Sequence, residues 1–204
     1  MKENSNLIIN NPKKLEGLIS IPGDKSITHR AIMLGALSDG QLKISNSLLS
    51  EDCMRTLTAF RELGINIEID DDIVTIFGKG LNGLSETKSQ IDAGNSGTMA
   101  RLLSGILSTQ NFNSSISGDK SLVTRPMKRI IEPLKSFGAL IKSKDEKLPI
   151  SFKSSSSMRP IKYHSHIPSA QVKSSLILAA LYIKGESIIS EDVKTRDHTE
   201  RLLK

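Results

Sequence analysis

Apolar and polar positions change rhythm along the chain, and those changes divide it into elements. Residues 7–9 and 15–21 carry strand-like apolar patterns, separated by a turn at Asn11 and Pro12. From the segment IPGDKSITHR (residues 21–30) the spacing predicts a helix to about Leu37; its tail AIMLGAL is apolar on every side and has to be buried. Asp39-Gly40 reads as a turn and residues 41–48 alternate as a strand. Ser50 with Glu51 and Asp52 then opens a helix that stops near Gly64. Cys53, Leu57 and Phe60 share one face of that helix, so the lone cysteine reads as core rather than nucleophile. Two β-rich runs follow, at 65–69 and 73–77, joined by the acidic turn Asp70, Asp71, Asp72.

The order helix, strand, helix, strand, strand then recurs. IDAGNSGTMARLLSGILS begins as IPGDKSITHRAIMLGALS does, with a polar glycine turn leading into a buried helix, and Leu107 answers Leu37. A strand at Ser114–Ser117 leads to TRPMKRIIEPLKSFGA, where Met127, Ile130, Ile131, Leu134 and Phe137 form one helical stripe. Pro126 suits the first helical position, whereas Pro133 falls inside the helix and should kink it or lose a hydrogen bond. Strands at Leu140–Ser143 and residues 150–152 close this second unit. A third start, IPSAQVKSSLILAALYI, is followed by a strand at 187–190 and a helix opened by TRDHTE, with Asp197 and Glu200 spaced as a capping box. The chain stops at Lys204 partway through that helix, which reads as a fragment of a longer repeat protein. Equivalent units would place their three polar helix starts, at Lys25, Asn95 and Ser169, at one end of a shared bundle.

Charge changes the picture from fold to ligand. Lys+Arg number 28 against 22 Asp+Glu, a net +6 that favours small anions, nucleic acid or acidic lipid as partners. With Phe 5, Tyr 2 and Trp 0, few rings could stack single-stranded bases, and no run of Lys and Arg marks a nucleic-acid stripe. MKENSNLIINNPKK is not an apolar signal segment and no stretch approaches membrane-spanning length, so the expectation is a cytoplasmic protein with neither nucleic-acid nor membrane partner.

The candidate chemistry sits at the helix starts. Lys25, Ser26 and Arg30 stand where unpaired N–H groups and the positive end of a helix dipole favour an anion. A nucleotide phosphate loop is excluded, because Asp24 and Ile19 occupy the positions where it needs glycine. GNSGT, with Gly94 and Gly97, lets backbone approach a ligand, and Arg101 follows one turn on. Arg125, just before a helix, could fork onto phosphate or carboxylate, while Ser169, Gln171 and Lys173 offer hydroxyl, amide and ammonium groups. Ser169 by itself reads equally as an N-cap. His164 and His166 could face one way on a strand, but no third ligand follows at metal-site spacing, so they read as a solvated pair and no metal is expected. His29 and His198 flank helix starts in hydrogen-bonding roles, and the serine run at 154–157 is a flexible turn.

In these motifs, GDKSITHRA, GNSGTMARLLSGIL, SLVTRPMKRIIEPL, IPSAQVKSSLILAALYI and KTRDHTERLL, the chain resembles the 5-enolpyruvylshikimate-3-phosphate synthases in register from Leu15 to Lys204. The resemblance implies an α/β (α+β) fold of repeated βαβαββ units, forming the N-terminal lobe of a two-lobed enolpyruvyl transferase. Residues 1–20 would lead in from the other lobe, and the units would span about 21–80, 81–155 and 156–204, the last incomplete. It implies a monomer without cofactor that transfers the enolpyruvyl group of phosphoenolpyruvate to the 5-hydroxyl of shikimate 3-phosphate.

Carried over residue by residue, the resemblance has Lys25, Ser26 and Arg30 hold shikimate 3-phosphate, with Lys25 also touching phosphoenolpyruvate. Gly97 and Arg125 match phosphoenolpyruvate positions. Ser169, Ala170 and Gln171 match the loop around the shikimate phosphate and ring, and Thr195 aligns with a phosphate-binding serine. Asn95 and Arg101 would shape the loop. Ala170 stands where many members have a second serine, and Leu102 where many have a proline tied to the inhibitor glyphosate, for which Gly97 keeps room. The acid and base belong to the C-terminal lobe, so no catalytic residue is expected here and the fragment alone should be inactive. The sister enzyme acting on UDP-N-acetylglucosamine carries Lys-Asn where this chain has Lys25-Ser26 and a cysteine in a later loop, whereas Cys53 lies on a core stripe. A non-catalytic anion-binding module or basic RNA-processing domain is the reading from another class.

Overall fold

The computed structural model describes residues 7–12, 14–155 and 157–204. Residues 1–6 and 13 of the expected N-terminal segment, and Ser156 of the expected serine turn, lie outside the described residues. The first unit holds α1 (Lys25–Leu37), β1 (Asp39–Ile44), α2 (Glu51–Glu62), β2 (Asn66–Asp70) and β3 (Ile73–Lys79). The second has β4 (Ile91–Asp92), α3 (Gly97–Leu107), β5 (Ser114–Ser117), a 3-10 turn at Leu122–Thr124, α4 (Lys128–Ser136), β6 (Leu140–Ser143) and β7 (Ile150–Lys153). The third has β8 (Lys162–Ser165), α5 (Ala170–Ala180), β9 (Ile188–Glu191) and α6 (His198–Leu202).

Each unit keeps its own sheet, in the orders β1-β3-β2, β4-β5-β7-β6 and β8-β9. β4 pairs parallel with β5, and β8 with β9, each pair bridged by a crossover helix, α3 or α5. Among the described residues, all six elements of βαβαββ are present only in the second unit. The first lacks a parallel partner beside β1, because residues 15–21, expected as a strand, lie in no sheet, and neither do residues 7–9. A strand needs a neighbour for its backbone groups, and no described segment runs beside these; Leu18 is fully solvent-exposed.

The central layer consists of α1, α3 and α5. In α3, Met99, Ala100, Leu102, Leu103 and Ile106 have no exposed surface, as an all-round apolar helix requires. Gly105 lets α3 meet α5: a methyl group there would stand 2.1 Å from the Ser175 carbonyl oxygen. The amphipathic helices lie outside, α2 burying Cys53, Leu57 and Phe60, and α4 burying Ile130, Ile131 and Leu134.

Several boundaries move for identifiable reasons. Asp39-Gly40 opens β1 instead of forming a turn, with Gly40 at φ +104 inside the strand. Pro126 does not start α4, which begins at Lys128 with Met127 as its N-cap; Pro133 is accommodated inside that helix. The capping box at α6 does not form, since Asp197 makes no side-chain cap bond and Glu200 turns to the buried Lys173 ammonium at 2.7 Å. No helix among the described residues is long and apolar enough to cross a membrane.

Candidate functional site

The three inner helices run parallel with their N-termini at one end. Thr98, second residue of α3, accepts from Gln171 Nε2 of α5 at 3.0 Å, and Arg30, in the second turn of α1, donates to Ser174 of α5 at 2.8 Å. Each start is capped by its own side chain: Asp24 accepts from Ile27 N–H at 2.8 Å, Ser96 from Met99 at 3.3 Å and Ser169 from Val172 at 3.4 Å. A cap of this kind satisfies one of the first-turn donors, and the others have no intrahelical acceptor.

Lys25, half exposed, pairs with Asp52 of α2 at 2.9 Å. One turn along α2, Arg55 reaches Asp92 at 2.7 Å and lies against Gly94, where a methyl group would stand 2.8 Å from its Nε. The start of α2 therefore joins the α1 mouth to the GNSGT loop. Behind it, Thr56 bonds the buried His29 ring at 2.7 Å, and burial lowers the pKa of that ring to about 4, leaving it neutral near pH 7. Burial likewise pushes the Cys53 thiol up, in keeping with a core residue.

Around Gly97 the cations gather. Arg125 precedes a proline, which confines it to extended backbone (φ −75, ψ 138); its Nη2 donates to Asn95 Oδ1 at 2.5 Å. Asn95 in turn donates to Asp119 at 2.7 Å. A methyl group on Gly97 would stand 2.9 Å from Arg101 Nη1 and 3.5 Å from Arg125 Nη1, so both guanidinium groups lie against that glycine. Arg101 is 7% exposed and donates to Gln171 Oε1 at 2.9 Å, while its buried Nε has no partner among the described residues. Burial, then Arg129 and Arg125, bring its pKa down to about 10. Lys25 and Arg55 have carboxylate partners, but the contacts of Arg101 are an amide and a carbonyl. This is where an anion would be most welcome.

The structure thus joins Gly97, Arg101, Arg125 and Gln171 directly, with Ser169 and Ala170 at the same helix start and Lys25 and Ser26 at the adjoining one. Arg30 sits deeper. It is 3% exposed and donates to Thr199 Oγ1 at 2.8 Å, the Ser26 carbonyl at 2.9 Å and Ser174 Oγ at 2.8 Å, bracing α1 against α5 and α6. Thr195 is held back as well, its hydroxyl donating to Glu191 Oε2 at 2.6 Å. Asp52, Asp119, Ser174 and Thr199, which orient these groups, carry no sequence signal beyond a cap position or a polar residue in an apolar helix. The two surface histidines are exposed, as expected, and have a neighbour outside local spacing. Asp192, 28 residues beyond His164, lies between them, a third potential ligand that local spacing could not reveal.

The loop bearing Thr195 makes a pH prediction. Burial pushes the Glu191 carboxyl up, but the Lys173 ammonium and the Thr195 O–H and N–H outweigh it and hold its pKa at about 2, below the ordinary 4.5. A carboxyl depressed on folding contributes stability that is complete above pH 4.5 and is lost as pH falls toward 2. Urea unfolding followed across that range should show a shallower acid loss in Glu191→Gln than in the parent chain.

Comparison with known proteins gives the same direction throughout. A family model described as EPSP synthase (3-phosphoshikimate 1-carboxyvinyltransferase) matches residues 9–204. A 3-phosphoshikimate 1-carboxyvinyltransferase of Ruthia magnifica subsp. Calyptogena magnifica is 50% identical over 200 residues, covering 98% of this chain and 46% of the relative. One from Alkaliphilus metalliredigens is 47% identical, over 97% of this chain and 47% of its own length. An EPSP synthase structure from Acinetobacter baumannii superposes with TM-score 0.89 at 45% identity, covering 92% of this chain and 43% of that one. The chain spans about half the length of the curated relatives it matches. Its match to the family model over residues 9–204 shows that the chain belongs to the EPSP synthase family.

Proposed function

We propose that this chain supplies the phosphate-binding half of an enzyme that transfers the enolpyruvyl group of phosphoenolpyruvate to the 5-hydroxyl of shikimate 3-phosphate, releasing phosphate. The observation that carries this reading is Arg101 beside Gly97 and Arg125, a buried cation without a carboxylate partner at the junction of two helix N-termini. Both substrates are phosphorylated carboxylic acids, matched to helix-start N–H groups and guanidinium forks. In this reading Lys25 and Ser26 hold shikimate 3-phosphate, with Arg30 joining them only if its guanidinium leaves Ser174 and Thr199, and Lys25 also reaches phosphoenolpyruvate. Gly97 and Arg125 receive phosphoenolpyruvate, while Ser169, Ala170 and Gln171 enclose the shikimate phosphate and ring. Thr195 takes part only if its hydroxyl leaves Glu191.

Neutralising two anions side by side and fixing their relative orientation is the contribution these residues make to the barrier. The transfer adds the 5-hydroxyl to the enol carbon as a proton goes to the methylene carbon, and the tetrahedral ketal phosphate then expels phosphate. Its acid and base are assigned to a second lobe outside this chain, from which residues 1–20 would lead in, and the 204-residue chain alone is expected to show no turnover. The reading includes a cytoplasmic monomer that needs no metal or organic cofactor for the transfer.

Calorimetric titration tests it with three ligands. Shikimate 3-phosphate should give weak but saturable heat, and UDP-N-acetylglucosamine and single-stranded RNA none. Saturation by the sugar nucleotide would point to the sister transferase, and by RNA to a basic binding module. Gly97→Ala should fold normally, because its methyl group meets the far ends of arginine side chains. It should weaken anion binding by about tenfold, the loss of one charge-assisted hydrogen bond of about 1.4 kcal/mol.

A further inference from the structure

The geometry points to a divalent transition-metal site formed by His164, His166 and Asp192, residues to which the proposed transfer assigns no role. β8 and β9 pair parallel with His164 opposite Ser190 and Ser165 opposite Glu191, and this register brings His166, just beyond β8, and Asp192, just beyond β9, alongside His164. The carboxylate lies between the rings: Oδ1 is 2.6 Å from His164 Nε2 and Oδ2 is 3.0 Å from His166 Nδ1. The ligand atoms all fall within 4.8 Å of one another, and the three residues are exposed, so an ion can reach them.

The donor set fits the chemistry. Two imidazole nitrogens and one carboxylate suit zinc, cobalt or nickel rather than calcium or magnesium, which prefer oxygen. Around a tetrahedral ion with bonds of about 2.0–2.1 Å, donor atoms stand about 3.3 Å apart. The two carboxylate contacts, at 2.6 and 3.0 Å, are shorter than this and the cluster as a whole spreads up to 4.8 Å, so the exposed side chains would open around the carboxylate and draw the rings in as the ion replaces two hydrogen bonds. His164 also has its outer partner in place, Nδ1 lying 2.8 Å from Ser190 Oγ. That hydroxyl can accept the Nδ1 proton, which fixes the ring and leaves the Nε2 lone pair for the metal. The remaining coordination position stays open to water or an anionic group, beside a groove lined by Arg129, Tyr163 and Pro133. Among the described residues β8 and β9 form a sheet of two strands only, a marginal unit by itself, so an ion bonded to both would staple it.

The test is titration of the chelator-stripped 204-residue chain with zinc chloride by calorimetry, repeated with cobalt(II) followed by its visible absorption. One equivalent should bind, and cobalt should show the bands of a four- or five-coordinate N/O site. Asp192→Asn and His166→Gln should weaken zinc by roughly tenfold or more. Zinc should raise the thermal midpoint of the parent chain, and that of Asp192→Asn by clearly less at the same zinc concentration. Because these side chains are exposed, unchanged far-ultraviolet spectra are expected and separate lost binding from lost folding. No saturable uptake by the parent, or uptake unaltered in both variants, would overturn the site and leave a hydrogen-bonded clasp.

Discussion

Replacing Lys173 by methionine is expected to lower the stability of the chain by about 3–5 kcal/mol, as removal of one partner from a buried ion cluster does. The Lys173 side chain is 10% exposed, and its ammonium lies 2.8 Å from Glu191 and 2.7 Å from Glu200. Methionine fills a similar volume but leaves two half-covered carboxylates, Glu191 15% and Glu200 33% exposed, without the cation between them. One oxygen of Glu200 already has no partner among the described residues. The loss should therefore come from stranded charge and not from a cavity. Urea unfolding at pH 7 reads the effect, and the triple change Lys173→Met, Glu191→Gln, Glu200→Gln should recover most of it. A Lys173→Met chain within about 1 kcal/mol of the parent, the usual worth of a surface pair, would show that the cluster is solvated. The same cluster holds Thr195, whose N–H and O–H both go to Glu191 at 2.8 and 2.6 Å, so Lys173→Met should also loosen the loop entering α6.

Gly105→Ala is expected to cost about 3 kcal/mol, at the upper end of ordinary overpacking. Its methyl group would stand 2.1 Å from the Ser175 carbonyl oxygen and 2.9 Å from the carbonyl carbon, both backbone atoms that no rotamer change can move. The helices α3 and α5 must separate or slide. Either movement strains the ties at their N-termini, where Gln171 bonds both Arg101 and Thr98. A stability loss should thus be accompanied by weakened anion binding, although Gly105 lies more than a helical turn from the mouth. Unfolding measurements and anion titrations on the same variant would show whether the two losses occur together.

How much of this was legible in the sequence follows the range of the interactions. Residues that answer to local rules were readable: the stripes of α2 and α4, the Ser169 cap, and the all-round apolar α3. The strand pattern of residues 15–21 is present, but pairing needs a neighbour, and none of the described residues supplies it. The two-residue strand β4 is too short for any periodicity. Asp197 and Glu200 have capping-box spacing, yet a buried ammonium from α5 outweighed a backbone N–H for the carboxylate of Glu200. The partners that hold Arg30, Ser174 and Thr199, are 144 and 169 residues away, beyond the reach of local spacing. The His164, His166 and Asp192 cluster was hidden for the same reason, as only the parallel register of β8 and β9 brings the carboxylate to the rings. The positions of candidate site residues at helix starts were visible, whereas the partners that orient them were not.

The central claim is that three helix starts share one anion-binding mouth, and backbone amide shifts during titration with inorganic phosphate test it most directly. The account predicts that the amides of Lys25, Ser26, Gly97, Thr98, Ala170 and Gln171 move together and fit one dissociation constant. Independent constants for the three starts, or shifts confined to distant surfaces, would contradict it.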